Sequence, residues 1–110
     1  MSTDKFQVDQ EESENTIQLH VRGELDLAAA QAFRQVLEAV IHREDKELIF
    51  NLRQLTYIDS TGIGIVVSTL KLRDELKAPF AVRDIPAGIR KLFDLTGISG
   101  FLKEGVEGSA

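Results

Sequence analysis

Apolar and polar positions alternate at the start of the chain. Phe6 and Val8 stand among polar neighbours, and Ile17, Leu19 and Val21 do so again, with Glu11 to Asn15 as a polar turn between them. A period of two sends alternate side chains to one face of a strand, so the pattern predicts two strands joined as an antiparallel hairpin. From Leu27 to about Ile41 the period changes. Phe33, Val36, Leu37, Val40 and Ile41 follow i, i+3, i+4, i+7, i+8 spacing and line one helical face, with Asp26 immediately before the helix as its N-cap. Leu48-Ile49-Phe50 with Leu52 is a nearly continuous apolar run, as expected of a strand covered on both faces. Helical spacing resumes at Ile63, Val66, Val67 and Leu70, is extended by Leu72 and Leu76, and ends at Pro79. Phe80-Ala81-Val82 reads as a further strand. Pro86, at the first helical position, opens a helix over Ala87 to Leu95 that Gly97 closes, and a short strand or turn around Phe101 and Leu102 completes the chain.

The order β-β-α-β-α-β-α predicts an α/β fold with a mixed sheet and helices packed on it, strands separated by a helix pairing in parallel through right-handed crossovers. In such sheets functional groups gather beyond the carboxyl ends of the strands, in the loops that feed helix N-termini. Three segments meet that description: Gly23-Glu24-Leu25-Asp26, Thr56 to Gly64, and Asp84-Ile85-Pro86. A length of 110 residues predicts one domain, 1–110, with a core of about 5–102, and Glu104 to Ala110 reads as a loose tail.

Composition narrows the function. With 43% apolar and 28% charged residues the chain has the balance of a folded domain rather than of a disordered one. It has no cysteine, which leaves no disulfide, no thiolate metal site and no cysteine nucleophile, and fits a reducing compartment. The first residues lack a cationic region followed by an apolar run, and no stretch approaches 18 consecutive apolar residues, so a cytoplasmic protein with no membrane association is expected. A net charge of −5 argues against a nucleic-acid ligand and for a protein partner.

Tyr57-Ile58-Asp59-Ser60-Thr61-Gly62-Ile63-Gly64 is the most informative stretch. A serine at a helix N-terminus can accept a phosphoryl group, because open backbone N–H groups and the positive dipole end favour an added anion. Gly62 and Gly64 remove side chains that would block a close-approaching backbone or ligand. The same residues also fit a purely structural reading, in which Asp59, Ser60 or Thr61 caps the helix and the glycines allow tight helix–sheet packing. Asp26 is open to the same two readings.

Asp59 to Gly64, preceded by an apolar strand and Leu55-Thr56-Tyr57-Ile58, resembles the signature of STAS-domain anti-sigma factor antagonists. Two further segments agree with it, Gly23-Glu24-Leu25-Asp26 before the first helix and Ile89 to Gly97 near the end, so the resemblance spans roughly residues 5 to 102. It implies a partner switch in bacteria. The unphosphorylated protein binds an anti-sigma factor that is also a GHKL-type serine kinase, releasing the sigma factor that kinase holds; phosphorylation by the same kinase ends the contact, and a metal-dependent PPM-type phosphatase restores it. The resemblance carries the phosphorylated serine onto Ser60 and its surroundings onto Asp26, Asp59, Thr61 and Gly62. A chain of this length resembles the stress-response and sporulation antagonists more than the STAS domains appended to anion transporters. Asn51 stands where the family often has Asp, and reads as a hydrogen-bonding residue at the start of a loop.

Leu27, Thr61, Ile63, Ile85 and Arg90 are the expected partner contacts around Ser60, Arg90 because its guanidinium can grip a carboxylate in a forked geometry; Ile63 and Ile85 fit the core equally. A hydrolase would need a base beside Ser60, and His20 lies within the second strand while His42 ends the first helix. Neither the Walker pattern nor Gly-x-Gly-x-x-Gly is present. Arg43 to Glu47 after His42 reads as a solvated charge run rather than a metal site. No enzyme activity, cofactor or metal is expected. The alternative to the antagonist is a non-catalytic STAS interaction module or scaffold in another bacterial signalling pathway.

Overall fold

The computed structural model describes residues 6–102; residues 1–5 and the expected tail from Glu104 lie outside the described residues. The hairpin forms as β1 (Phe6–Glu12) and β2 (Thr16–Leu25), paired antiparallel from Phe6↔Gly23 to Glu12↔Ile17. Then follow α1 (Leu27–Glu38), β3 (Glu47–Asn51), β4 (Leu55–Ile58), α2 (Ser60–Glu75), β5 (Phe80–Arg83) and α3 (Ala87–Thr96), with a 3-10 turn at Ser99–Phe101. The sheet runs β1-β2-β3-β5, and β4 pairs separately with β2. Pairings of β2 with β3, β3 with β5, and β2 with β4 are all parallel.

One apolar cluster holds the layers together. The period-two residues Ile17, Leu19 and Val21 meet Leu48, Phe50, Phe80 and Val82 on one face of the sheet, and all three helices contribute buried residues to the same cluster, Phe33 and Leu37, Ile65 and Val66, and Ile89 and Phe93. Phe6, Phe33, Phe50 and Phe80 form a chain of ring contacts with centroids 5.9, 5.3 and 4.9 Å apart. The apolar run in β3 behaves as its composition predicts: Leu48, Ile49 and Phe50 are all buried, so both faces of that strand are covered.

Several local expectations are corrected. α1 ends at Glu38, a turn before Ile41; the Val40 and Ile41 N–H groups both donate to the Leu37 carbonyl, which tightens the exit. β4 was not expected at all, since Thr56 to Gly64 reads as loop. Its burial runs buried, exposed, exposed, buried, which carries no period of two. The buried face of α2 is Gly62, Ile65, Val66, Thr69 and Arg73, rotated from the predicted stripe, so Val67 and Leu70 are only half-buried. Pro86 occupies the cap position and not the first helical one, its extended ψ of 151° leading into Ala87. Gly97 closes α3 at φ 82°, where only glycine sits without strain. Phe101 falls in the 3-10 turn, the second of the two readings that the sequence leaves open there.

Arg73 escaped the apolar pattern altogether. It is fully buried and its two terminal nitrogens donate to four carbonyls, those of Ile41 and Arg43 (2.9 and 2.7 Å) and of Lys46 and Pro79 (2.9 Å each). The guanidinium thereby pins the loop between α1 and β3 to the start of β5. Burial lowers its pKa, and Glu44, Asp45 and Glu47 work the other way. On the outside of that loop Arg43 pairs with Asp45 at 2.8 Å and Glu12 at 3.2 Å, and Lys46 with Glu12 at 2.6 Å, so the charge run is anchored to β1 rather than freely solvated.

Candidate functional site at the first turns of α1 and α2

Parallel pairing of β2 with β4 brings Leu25 opposite Ile58. The residues that follow, Asp26 and Asp59, therefore leave the sheet side by side and cap neighbouring helices. Asp26 Oδ1 accepts from the Ala29 N–H at 3.1 Å, and Asp59 Oδ1 accepts from the Gly62 N–H at 3.0 Å. The second oxygen of Asp59 reaches across: Oδ2 accepts from the Leu27 N–H at 3.1 Å, so one carboxylate satisfies open donors at the start of both helices. The Asp59 N–H in turn donates to the Leu25 carbonyl at 3.3 Å.

Ser60 is the first residue of α2 and is exposed. Its neighbour two positions on fixes how closely α2 meets the sheet. A Cβ on Gly62 would lie 2.4 Å from the Leu25 carbonyl oxygen and 2.7 Å from Ile58 Cγ1, so no side chain fits between helix and strand. Gly64 differs: a Cβ there would meet nothing within 4 Å, and the structure gives that glycine no packing role.

Of the other expected contacts, Leu27 stands beside Asp59 and is 73% exposed, an unusual place for a leucine that no core holds. Thr61, Ile63, Ile85 and Arg90 are half-buried, and Ile63 and Ile85 pack against the core as well as reaching the surface. The third segment approaches β4 rather than Ser60 itself: Pro86, Gly88, Ile89 and Leu92 face Leu55 to Ile58 across a cleft of about 440 Å³ that Ser60 does not line. Two exposed residues on that side were not singled out from sequence, Tyr57 at 50% and Leu92 at 37%. A hidden β4 concealed them, since without it nothing places Tyr57 on a strand edge.

Behind the site, Asn51 is a buried hydrogen-bonding residue at the end of β3. Its Nδ2 donates to Gln18 Oε1 (2.9 Å) and Asp84 Oδ2 (3.0 Å), and its Oδ1 accepts from the Arg53 N–H (3.0 Å). Those bonds tie the β3–β4 turn to the β5–α3 loop, where Asp84 takes a left-handed conformation at φ 57°. His20 lies 2.8 Å from Glu11 on the hairpin, engaged away from Ser60. No group of three or more metal-ligating side chains occurs among the described residues, and no helix there is long and apolar enough to cross a membrane.

Comparison with known proteins places this geometry in a family. The chain matches a family model described as “Mlab, STAS domain” over residues 8–104. It is 30% identical over 95 residues to the anti-sigma-B factor antagonist of Bacillus subtilis (strain 168), covering 86% of each chain. Among solved structures it superposes on the anti-sigma factor antagonist SpoIIAA in its unphosphorylated form with a TM-score of 0.73 at 22% identity, over 93% of this chain and 89% of that one. The Bacillus cell fate determinant SpoIIAA in its phosphorylated form gives a TM-score of 0.69 at 22% identity, over 93% and 92%. These last two show a shared fold, while the family model and the Bacillus relative go further: the chain belongs to the STAS-domain family.

Proposed function

We propose that this chain is an anti-sigma factor antagonist whose binding is switched off by phosphorylation of Ser60. The observation that carries the reading is an exposed serine at the first position of α2, beside a carboxylate that locks two helix N-termini together. The relative in Bacillus subtilis is named for the same activity, and SpoIIAA has been solved in a phosphorylated form. In this reading the unmodified chain binds an anti-sigma factor with serine-kinase activity, frees the sigma factor, and is reset by a PPM-type phosphatase. Leu27 supplies an apolar contact at the centre of the surface, with Thr61, Ile63, Ile85 and Arg90 around it. The chain acts by binding and not by catalysis.

Calorimetric titration of an anti-sigma factor kinase with unmodified, phosphorylated and Ser60→Ala protein tests it. Phosphorylation is expected to weaken binding at least about a hundredfold, which corresponds to about 2.7 kcal/mol. Ser60→Ala should stay bound in the presence of kinase and ATP. Equal affinities for the phosphorylated and unmodified forms would refute the switch. Leu27→Ala should weaken binding with no change in melting temperature, as expected of an exposed contact.

A further inference from the structure

Leu27 is the first residue of α1, and its side chain is exposed, with no core contact to hold it. Its placement beside Ser60 is therefore decided by the backbone that carries it. The N–H of a first helical residue has no acceptor within its own helix. Asp26 is engaged elsewhere, since its carboxylate and its carbonyl both accept from the Ala29 N–H, at 3.1 Å each. The Leu27 N–H donates instead to Asp59 Oδ2 at 3.1 Å, a carboxylate 32 positions away that caps α2 through its other oxygen. Position 59 is thus tied to the segment that opens α1 by two bonds of different kinds. Its N–H donates to the Leu25 carbonyl at 3.3 Å, a main-chain bond that any residue but proline can make. The bond to the Leu27 N–H belongs to the side chain.

We propose, resting on the antagonist function above, that Asp59 is a positioning residue for partner binding: by holding the Leu27 N–H it fixes the exposed leucine in the arrangement that the anti-sigma factor reads. Capping alone does not demand aspartate here. Asparagine and serine cap helices as well, because each offers an oxygen to the Gly62 N–H. Neither can serve both helices at once. Asparagine with its oxygen on Gly62 turns its amide NH2 towards the Leu27 N–H, so a donor faces a donor, and serine has a single oxygen. Either substitution leaves α2 capped and Ser60 in place while α1 loses its tie at Leu27. Ordering that leucine then falls on the complex, which binds more weakly for it. Asp59 in this account acts through Leu27 and not only through its charge.

A double-mutant cycle over Asp59→Asn and Leu27→Ala tests the proposal, read by calorimetric titration of the same anti-sigma factor kinase and by the amide resonances of each free chain. Asp59→Asn is expected to keep the wild-type circular dichroism, to move the Leu27 amide proton upfield as its bond to a carboxylate is lost, and to weaken binding about tenfold. In the Leu27→Ala background the same substitution should cost less than about twofold, because no leucine is left to position. Asp59→Ser is expected to behave as Asp59→Asn in both backgrounds. A loss of binding equally large with and without Leu27 overturns the proposal, since Asp59 then acts by charge or by direct contact. So does a Leu27 amide that Asp59→Asn leaves unmoved, an Asp59→Asn chain that binds as wild type does, or a Leu27→Ala chain that does so. If both substitutions at 59 abolish the fold, Asp59 is a structural cap alone and the proposal is again overturned. The phosphorylation switch is read separately, from wild-type protein: equal affinities of its two forms refute the switch whatever the cycle gives, and a wild-type chain that does not bind refutes both.

Discussion

Gly62→Ala adds a single methyl group, and the structure predicts that it is poorly tolerated. The new carbon would sit 2.4 Å from the Leu25 carbonyl oxygen, 2.7 Å from Ile58 Cγ1 and 2.9 Å from Leu25 Cγ. Van der Waals contact is reached near about 3.5 Å, so the first overlap exceeds about 1 Å. The two side-chain atoms can yield by rotation. The carbonyl cannot, because it belongs to β2 and accepts the Asp59 N–H at 3.3 Å. Relief must therefore come from lifting the first turn of α2 off the sheet. Overpacking of this kind costs about 1–3 kcal/mol, and alanine's better helix propensity returns at most about 1 kcal/mol. A net loss of about 1–2 kcal/mol lowers the melting temperature of a chain this size by about 4–16 °C. Gly64→Ala supplies the control. With nothing within 4 Å of its Cβ and an exposed position in the same helix, it should stabilise by about 0.5–1 kcal/mol. Urea unfolding of both variants against wild type reads the difference. If the two substitutions shift stability in the same direction by similar amounts, the close approach of α2 to β2 is not what Gly62 serves.

Arg73→Met keeps the apolar stem but removes the donor to four carbonyls, of which only that of Pro79 retains a second one, the Leu48 N–H, and should lose about 3–5 kcal/mol in urea unfolding. A loss under about 1 kcal/mol would mean that water replaces the guanidinium without penalty. At the rim of the same loop, the hydrogen bonds from Arg43 hold the Asp45 carboxyl down to about 2 from an ordinary 3.8, and Lys46 lowers Glu12. A carboxylate depressed on folding contributes stability above its unfolded pKa and loses it as pH falls through the folded one. The Asp45 contribution should therefore fade between about pH 4 and about pH 2, and shrink in about 1 M salt because the pair is exposed. Urea midpoints of wild type and Asp45→Asn that stay parallel across that interval would refute the assignment.

The elements legible in the sequence were those whose burial is periodic. β1 alternates at its start through Phe6 and Val8, β2 alternates from Thr16 to Arg22, α1 carries its stripe through Phe33 and Leu37, and α3 is bracketed by Pro86 and Gly97. β4 was not legible, because a four-residue strand that buries its two ends has no period and is held by pairing with a distant strand. α2 was found but misrotated for a related reason. Its buried face includes a glycine, a threonine and an arginine, three residues that hydrophobic spacing discards, so the apolar positions left over described a neighbouring stripe. Thr69 is satisfied by its own helix, its hydroxyl donating to the Ile65 carbonyl at 2.8 Å, and Arg73 by carbonyls 6 to 32 residues away in sequence. Only the fold supplies those partners. At the site, the capping roles of Asp26 and Asp59 could be read from position, but the bond from Asp59 to Leu27 could not, since it spans 32 residues.

That bond bears on how a phosphate at Ser60 could end binding without unfolding the chain. The first N–H groups of a helix have no partner within it, and Asp59 takes only that of Gly62, leaving those of Ser60 and Thr61 to meet an added anion. The favourable interaction with the helix terminus is about 0.3–1 kcal/mol at an exposed position. Against it stands repulsion from Asp59. A phosphate of charge about −1.75 at about 6 Å from one carboxylate is opposed by about 1 kcal/mol in water, before screening by salt. The two nearly cancel, so the modified chain should keep its fold. Covering the same pair of charges with a partner changes the balance. At an effective dielectric of about 20 the repulsion rises to about 5 kcal/mol and the dipole term to about 1–4 kcal/mol, and withdrawing the phosphate from water adds a desolvation cost of several kcal/mol that the dipole does not offset. Together these oppose the complex by at least about 3 kcal/mol, which corresponds to a loss of binding of at least about a hundredfold. A switch of this kind needs the phosphate to be affordable in the free protein and unaffordable in the complex, and a capping aspartate beside an exposed serine meets both conditions.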